Sequence, residues 1–171
     1  MDMIETFKAA GIIPVIVIED ESKAVPLAKA LVKGGLPVLE VTFRTKAAAG
    51  AIAKIAAEVP EAIVGAGTLL TVEQVKAAKA AGAPMVKFFP AEAAGGVKMI
   101  KNFLGAFRFT GVKFMPTGGV NLANVSEYLS VPEIICCGGT WIVPKEAIAS
   151  GDWDAIEKLA SDAANIAKAR S

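Results

Sequence analysis

Two lysines, one glutamate and two glycine pairs are the residues best placed to do chemistry in this chain. Lys87 and Lys113 occupy nearly the same local setting, VKFFP (86–90) and VKFMP (112–116), each a single amine inside an apolar run. Burial penalises an ammonium and leaves a neutral amine able to attack a carbonyl carbon, which is Schiff-base chemistry. A lysine snorkelling from a strand start accounts for both positions equally well, and periodicity does not rank one above the other. Glu40 lies in PVLEVTF (37–43), where a carboxylate is out of place unless paired or used. Kept from water, it would hold its proton tightly enough to act as a shuttle; a salt-bridged structural glutamate fits the same pattern. Arg44, just past that run, offers a planar fork for a carboxylate or phosphate, or is a solvated loop arginine.

The glycine pairs fall in PTGGVN (116–121) and CGGTW (137–141). Each follows an apolar run directly, where backbone N–H groups can approach an anion closely. Phosphate is commonly bound by the loops after the last strands of a βα barrel together with a helix N-terminus. A glycine pair by itself need only turn the chain; two pairs in the last two units favour phosphate.

Composition removes other chemistries. The chain has no histidine, which excludes His-based triads and the usual His-rich metal centres. Its cysteines, Cys136 and Cys137, are adjacent in an apolar run and read as core thiols, since a bridge between neighbours is strained and closes no useful loop. Reduced thiols fit a cytoplasmic protein. Eighteen basic against seventeen acidic residues give no electrostatic case for nucleic acid or a membrane surface. The apolar fraction is 54%, yet no run approaches the ~18 residues of a membrane span. The opening MDMIETFKAAG is acidic and mixed, unlike a secretory signal.

These residues need elements to hold them. Short apolar runs predict strands at IPVIVI (13–18), PVLEVTF (37–43), AIVGAGT (62–68), MVKFFP (85–90), VKFMPT (112–117) and EIICCGG (133–139). Helical patterns alternate with them: about 2–10; a segment capped by Ser22 and stopped at Gly34-Gly35; 46–58, ending before Pro60; one opened by a Thr71–Gln74 capping box; then about 96–104, 121–129 and 152–169. Strands that are apolar throughout and alternate with helices predict a parallel sheet covered by helices, as an open sheet or a barrel. No GxGxxG opens the first helix, which weakens a dinucleotide-binding reading. Glu40, Arg44, Thr68, Lys87, Thr117 to Gly119 and Gly138 to Thr140 all fall in or just after strands, at the edge where α/β folds bind ligands.

LEVTFRT (39–45), VGAGT (64–68), VKFFPAEAAGG (86–96), FMPTGGVN (114–121) and CGGTW (137–141), in that order, resemble 2-keto-3-deoxy-6-phosphogluconate (KDPG) aldolase, a family that includes 4-hydroxy-2-oxoglutarate aldolases. The resemblance runs from about Gly11 into the C-terminal helix. It implies a metal-free class I aldolase without cofactor, usually trimeric, built as a (β/α)8 TIM barrel. By motif, Lys87 would be the Schiff-base lysine and Glu40 the general acid/base. Arg44 and Thr68 would hold the pyruvyl carboxylate, with Phe89 and Thr117 lining the site. Gly118, Gly119, Gly139 and Thr140 would receive the phosphate, with Thr140 standing where the family commonly has serine.

The chain departs from the family pattern in one respect. Its fourth helical segment ends at Ala81-Gly82-Ala83 and runs almost directly into Met85-Val86-Lys87, so the expectation is a loss of roughly forty residues at about 83–85, about two units of a barrel built at ~30 residues each. The expectation is a single domain over 1–171: a barrel-derived sheet of six parallel strands rather than eight, an incomplete or rearranged barrel that oligomerisation could complete. Rival readings are an inactive or engineered remnant that keeps at most phosphate binding, and an aldolase for an unphosphorylated 2-keto acid.

Overall fold

A computed structural model describes residues 2–67, 86–111 and 113–169. The expected strand–helix alternation is present. In chain order the elements are α1 (Met3–Ala10), β1 (Ile12–Ile16), a 3-10 turn (Glu21–Lys23), α2 (Ala24–Lys33), β2 (Val38–Thr42), α3 (Ala48–Glu58) and β3 (Ile63–Gly67). They continue with β4 (Val86–Phe88), α4 (Gly96–Phe107), a second 3-10 turn (Arg108–Thr110) and β5 (Phe114–Pro116). The chain then forms α5 (Val125–Leu129), β6 (Cys137–Gly139), α6 (Lys145–Ser150) and α7 (Trp153–Lys168). The helix expected after Thr71 lies outside the described residues. No helix among the described residues is long and apolar enough to cross a membrane.

Every described strand pairing is parallel. β3, β2, β1 and β6 form one sheet in that order, and β4 pairs with β5 in a second. Two isolated parallel bridges, Phe114 to Ile134 and Thr117 to Gly138, join β5 to the segment carrying β6. The six strands therefore follow one another in an arc, β3-β2-β1-β6 and then β5-β4, divided by a seam of single bridges instead of forming one continuous ladder.

Alternation along each strand sends side chains to two cores. Outward, Ile12, Ile16, Leu39 and Val41 join the large cluster with Leu27 and Leu31 of α2, Ile55 of α3 and Ile156, Ala160 and Ala163 of α7. Gly34 lets α2 lie close to α7: a Cβ there would stand 2.4 Å from the Ala160 Cβ and 2.7 Å from the Glu157 carbonyl. Inward, Ile13, Val38, Met115, Ile135 and Cys136 form a smaller cluster, against which Ile4, Phe7 and Ala10 of α1 and Ile63 of β3 pack. The inside of the arc is thus a packed floor, with α1 beneath it.

Several local expectations are corrected. Ser22 does not cap α2; Asp20 accepts from the Ser22 N–H and caps the 3-10 turn ahead of it. α5 begins at Val125, not Asn121, because Asn121 and Asn124 close a turn between themselves, Asn124 Oδ1 accepting the Asn121 N–H at 2.8 Å. The stretch 133–136 is no strand: β6 starts at Cys137. A helix absent from the sequence reading, α6, lies between Pro144 and Gly151, too short to leave a clear period.

Candidate active site

Register places the reactive groups on one face. Val15, Glu40 and Gly65 are Cα partners across β1, β2 and β3, so their side-chain positions share the inner face. Lys87 is the partner of Met115 across β4 and β5, and Met115 belongs to the inner cluster. Ile13 of that cluster partners Gly138, which bridges in turn to Thr117. Hydrophobic residues fill the N-terminal ends of these strands; Glu40, Lys87 and Thr117 stand toward the C-terminal ends.

Lys87 Nζ donates to Glu40 Oε1 at 2.5 Å, a charge-assisted contact between strands of the two different sheets. Glycine makes the approach possible. A Cβ at Gly67 would fall 2.0 Å from Glu40 Oε1, so the carboxylate leans across the end of β3 through space a side chain would occupy. The lysine side chain is 36% exposed and the glutamate 12%. The expectation of a lysine sequestered from water is thereby corrected: β4 is a margin of its two-stranded sheet, and a carboxylate partner holds the amine where burial was expected. Lys113, by contrast, immediately precedes β5, at the N-terminal end of that strand.

Thr117 is 5% exposed, and its Oγ1 has no hydrogen-bond partner among the described residues. A Cβ at Gly138 would stand 2.6 Å from that hydroxyl, 3.0 Å from Met115 Cε and 3.1 Å from Val15 Cγ2. The glycine therefore leaves a space into which a buried hydroxyl points, and unpaired buried hydroxyls are costly enough to suggest a ligand contact.

The two glycine pairs differ from one another. Gly118 and Gly119 follow β5 with φ of 97° and 81°, the left-handed region open to glycine. Their turn is held from one side. The Ala91 N–H donates to the Thr117 carbonyl at 2.9 Å and the Glu92 N–H to the Gly118 carbonyl at 3.1 Å. Because a trans peptide sets its N–H opposite its carbonyl, the amides of Gly118 and Gly119 point away from residues 91 and 92. The side-chain amides of Asn121 and Asn124 both donate to the Gly119 carbonyl at 3.1 Å, contacts the sequence reading missed. The signal was the NxxN spacing directly after the glycines.

Gly138 and Gly139 lie inside β6, at the end of the strand expected over 133–139 and not in the loop after it, with Gly139 paired to Pro14. The Trp141 ring fills the side-chain space of Gly139, 1.6 Å from where its Cβ would be. Thr140 is exposed at the strand end, beside the Gly118-Gly119 turn through the Thr117–Gly138 bridge. Phe89 is 57% exposed, its ring lying where a Gly118 side chain would point. Arg44 is exposed two residues beyond β2. Thr68 lies outside the described residues. Also unforeseen were Thr42 Oγ1 and Thr45 Oγ1, which donate to the carbonyls of Ile16 and Ile18 at 2.9 and 2.5 Å and tie the exit of β2 to that of β1.

Comparison with known proteins bears on the family of the chain. The sequence profile described as KDPG and KHG aldolase matches residues 3–86 and 84–159, two pieces that meet where the two βα units were expected to be missing. The 2-dehydro-3-deoxy-phosphogluconate aldolase of Pseudoalteromonas atlantica is 41% identical, over 93% of this chain and 92% of its own length. The KHG/KDPG aldolase of Escherichia coli is 42% identical, over 92% of each. Among solved structures, the KDPG aldolase of Legionella pneumophila, captured with pyruvate as a covalent carbinolamine, superposes with a TM-score of 0.80 at 35% identity, covering 94% of this chain and 97% of that one. An amine and a carboxylate in hydrogen-bond contact at the C-terminal edge of a parallel βα fold, and relatives at this identity over nearly their whole length, lead to one conclusion: this chain is a member of the KDPG and KHG aldolase family.

Proposed function

We propose that the chain is a class I aldolase that cleaves 2-keto-3-deoxy-6-phosphogluconate to pyruvate and glyceraldehyde 3-phosphate, with Lys87 as nucleophile and Glu40 as proton shuttle. The observation that carries the reading is the 2.5 Å contact between Lys87 Nζ and Glu40 Oε1. An ammonium must lose a proton before it can attack, and this carboxylate lies at the distance a general base requires. The freed amine adds to the C2 ketone, giving a carbinolamine; loss of water gives an iminium. The C3–C4 bond then breaks, its electron pair passing into the iminium as an enamine while Glu40 takes the C4 hydroxyl proton. Glyceraldehyde 3-phosphate leaves. The enamine is protonated at C3 and water releases pyruvate and the amine.

Arg44, Thr68, Phe89 and Thr117 are the proposed contacts to the pyruvyl end. The unpaired Thr117 hydroxyl is the best supported of these. Gly118 and Gly119, with Gly139 and Thr140 on the adjacent strand, are proposed for the phosphate. The outward amides of the first pair support that role, whereas Gly139 would act by admitting Trp141. The glycine turn also favours a phosphorylated substrate over 4-hydroxy-2-oxoglutarate. A cytoplasmic homo-oligomer completes the proposal.

Borohydride reduction in the presence of pyruvate tests it. The expected result is a stable adduct mapped to Lys87, lost in Lys87→Ala and retained in Lys113→Ala. Since the partly exposed Lys87–Glu40 pair contributes only about 0–1 kcal/mol, Lys87→Ala should unfold at nearly the wild-type denaturant midpoint. Absence of any adduct, or an adduct on Lys113, overturns the assignment.

A further inference from the structure

Glu92 lies within VKFFPAEAAGG (86–96) but was given no role there, yet it lies against the proposed anion-binding turn on three counts. Its backbone N–H donates to the Gly118 carbonyl at 3.1 Å. Its Cβ and Cγ occupy the space a Gly119 side chain would take, both 2.6 Å from the Cβ position there. Its carboxylate accepts a short hydrogen bond from the hydroxyl of Tyr128, which is fully buried in α5. A carboxylate one residue's width from a phosphate-binding turn is otherwise an electrostatic liability, because a like charge repels the ligand. The amides of Gly118 and Gly119 point away from residue 92, so the turn has a front and a back, and Tyr128 keeps the charge at the back.

We propose that Glu92, clamped by Tyr128, is a positioning residue that aims the Gly118-Gly119 amides at the substrate phosphate and withholds its own charge from it. The inference rests on the phosphate reading above and adds to it the group that sets the turn's orientation and selectivity. Burial, reinforced by the hydrogen bond to Glu92, also pushes the Tyr128 phenol above its ordinary ionisation range. Tyr128 is the only tyrosine in the chain, so phenolate absorbance reports this residue alone.

The test compares cleavage of KDPG with that of 4-hydroxy-2-oxoglutarate, which has no phosphate, in wild type, Tyr128→Phe, Glu92→Ala and Glu92→Gln. Tyr128→Phe releases the carboxylate and Glu92→Ala removes the packing on Gly119. Each should lower the phosphorylated-to-unphosphorylated kcat/KM ratio about tenfold, the size of one hydrogen bond, through KM and with kcat retained. Glu92→Gln keeps an acceptor and loses the charge, and should restore the ratio while moving the phenolate midpoint down. Pyruvate trapping at Lys87 should be unaffected throughout. An unchanged ratio in Tyr128→Phe and Glu92→Ala, given a wild type that prefers KDPG, overturns the clamp alone. A wild type that shows no preference overturns the phosphate site, and the clamp with it.

Discussion

At the scale of single residues, two glycines make room for the proposed chemistry. Gly67 leaves the space that the Glu40 carboxylate enters, and Gly138 leaves the space that the Thr117 hydroxyl faces. Gly67 has no left-handed backbone, so alanine is conformationally acceptable there. The atoms it would meet belong to the flexible end of Glu40, which can swing aside. Gly67→Ala should therefore unfold within about 1 kcal/mol of wild type. The same change should slow pyruvate trapping about a hundredfold, because the carboxylate moves away from the Lys87 amine. Rates of adduct formation followed by mass spectrometry, beside a urea titration, check both halves. Equal trapping rates would mean that Glu40 does not activate Lys87.

At the scale of elements, the contact of α2 with α7 carries much of the outer core. Gly34→Leu would drive a side chain into Ala160 and the Glu157 carbonyl and should destabilise the fold by about 1–3 kcal/mol, read as a lower urea midpoint at unchanged slope. This is also the scale at which sequence was most legible. The runs around Val38 to Thr42, apolar apart from Glu40 and the terminal threonine, and Ile63 to Gly67 are short segments of strand-forming residues, and their strands fall within one residue of expectation. α7 runs within one residue of the expected 152–169, with Asp152 as its cap. Failures came where a side chain outside the period decided the boundary. Asp20 in place of Ser22 took the first cap, and the Asn121–Asn124 pair held four residues out of α5. Within the site, residue types were legible but environments were not. Nothing local to VKFFP tells whether the amine is covered by the next strand or paired with a carboxylate 47 positions earlier.

At the scale of the whole molecule, the seam between the two sheets matters most. β1 lies between β2 and β6 in the four-stranded sheet, whereas among the described residues β4 and β5 reach the rest of the arc through isolated bridges and side-chain packing. Local opening follows the density of such contacts. In hydrogen-exchange mass spectrometry, amides of β1 and β2 should be the last to exchange, with β4 and β5 exchanging earlier; simultaneous exchange would show the sheets opening as one unit. The two sheets also divide the chemistry between them. Lys87 comes from the pair of strands on one side of the seam and Glu40 from the four on the other, so neither half holds a complete set of reacting groups. A keto acid bonded to the amine and gripped by the opposite carboxylate would span that division like a rivet, and the docking of the halves would itself become part of the affinity for substrate.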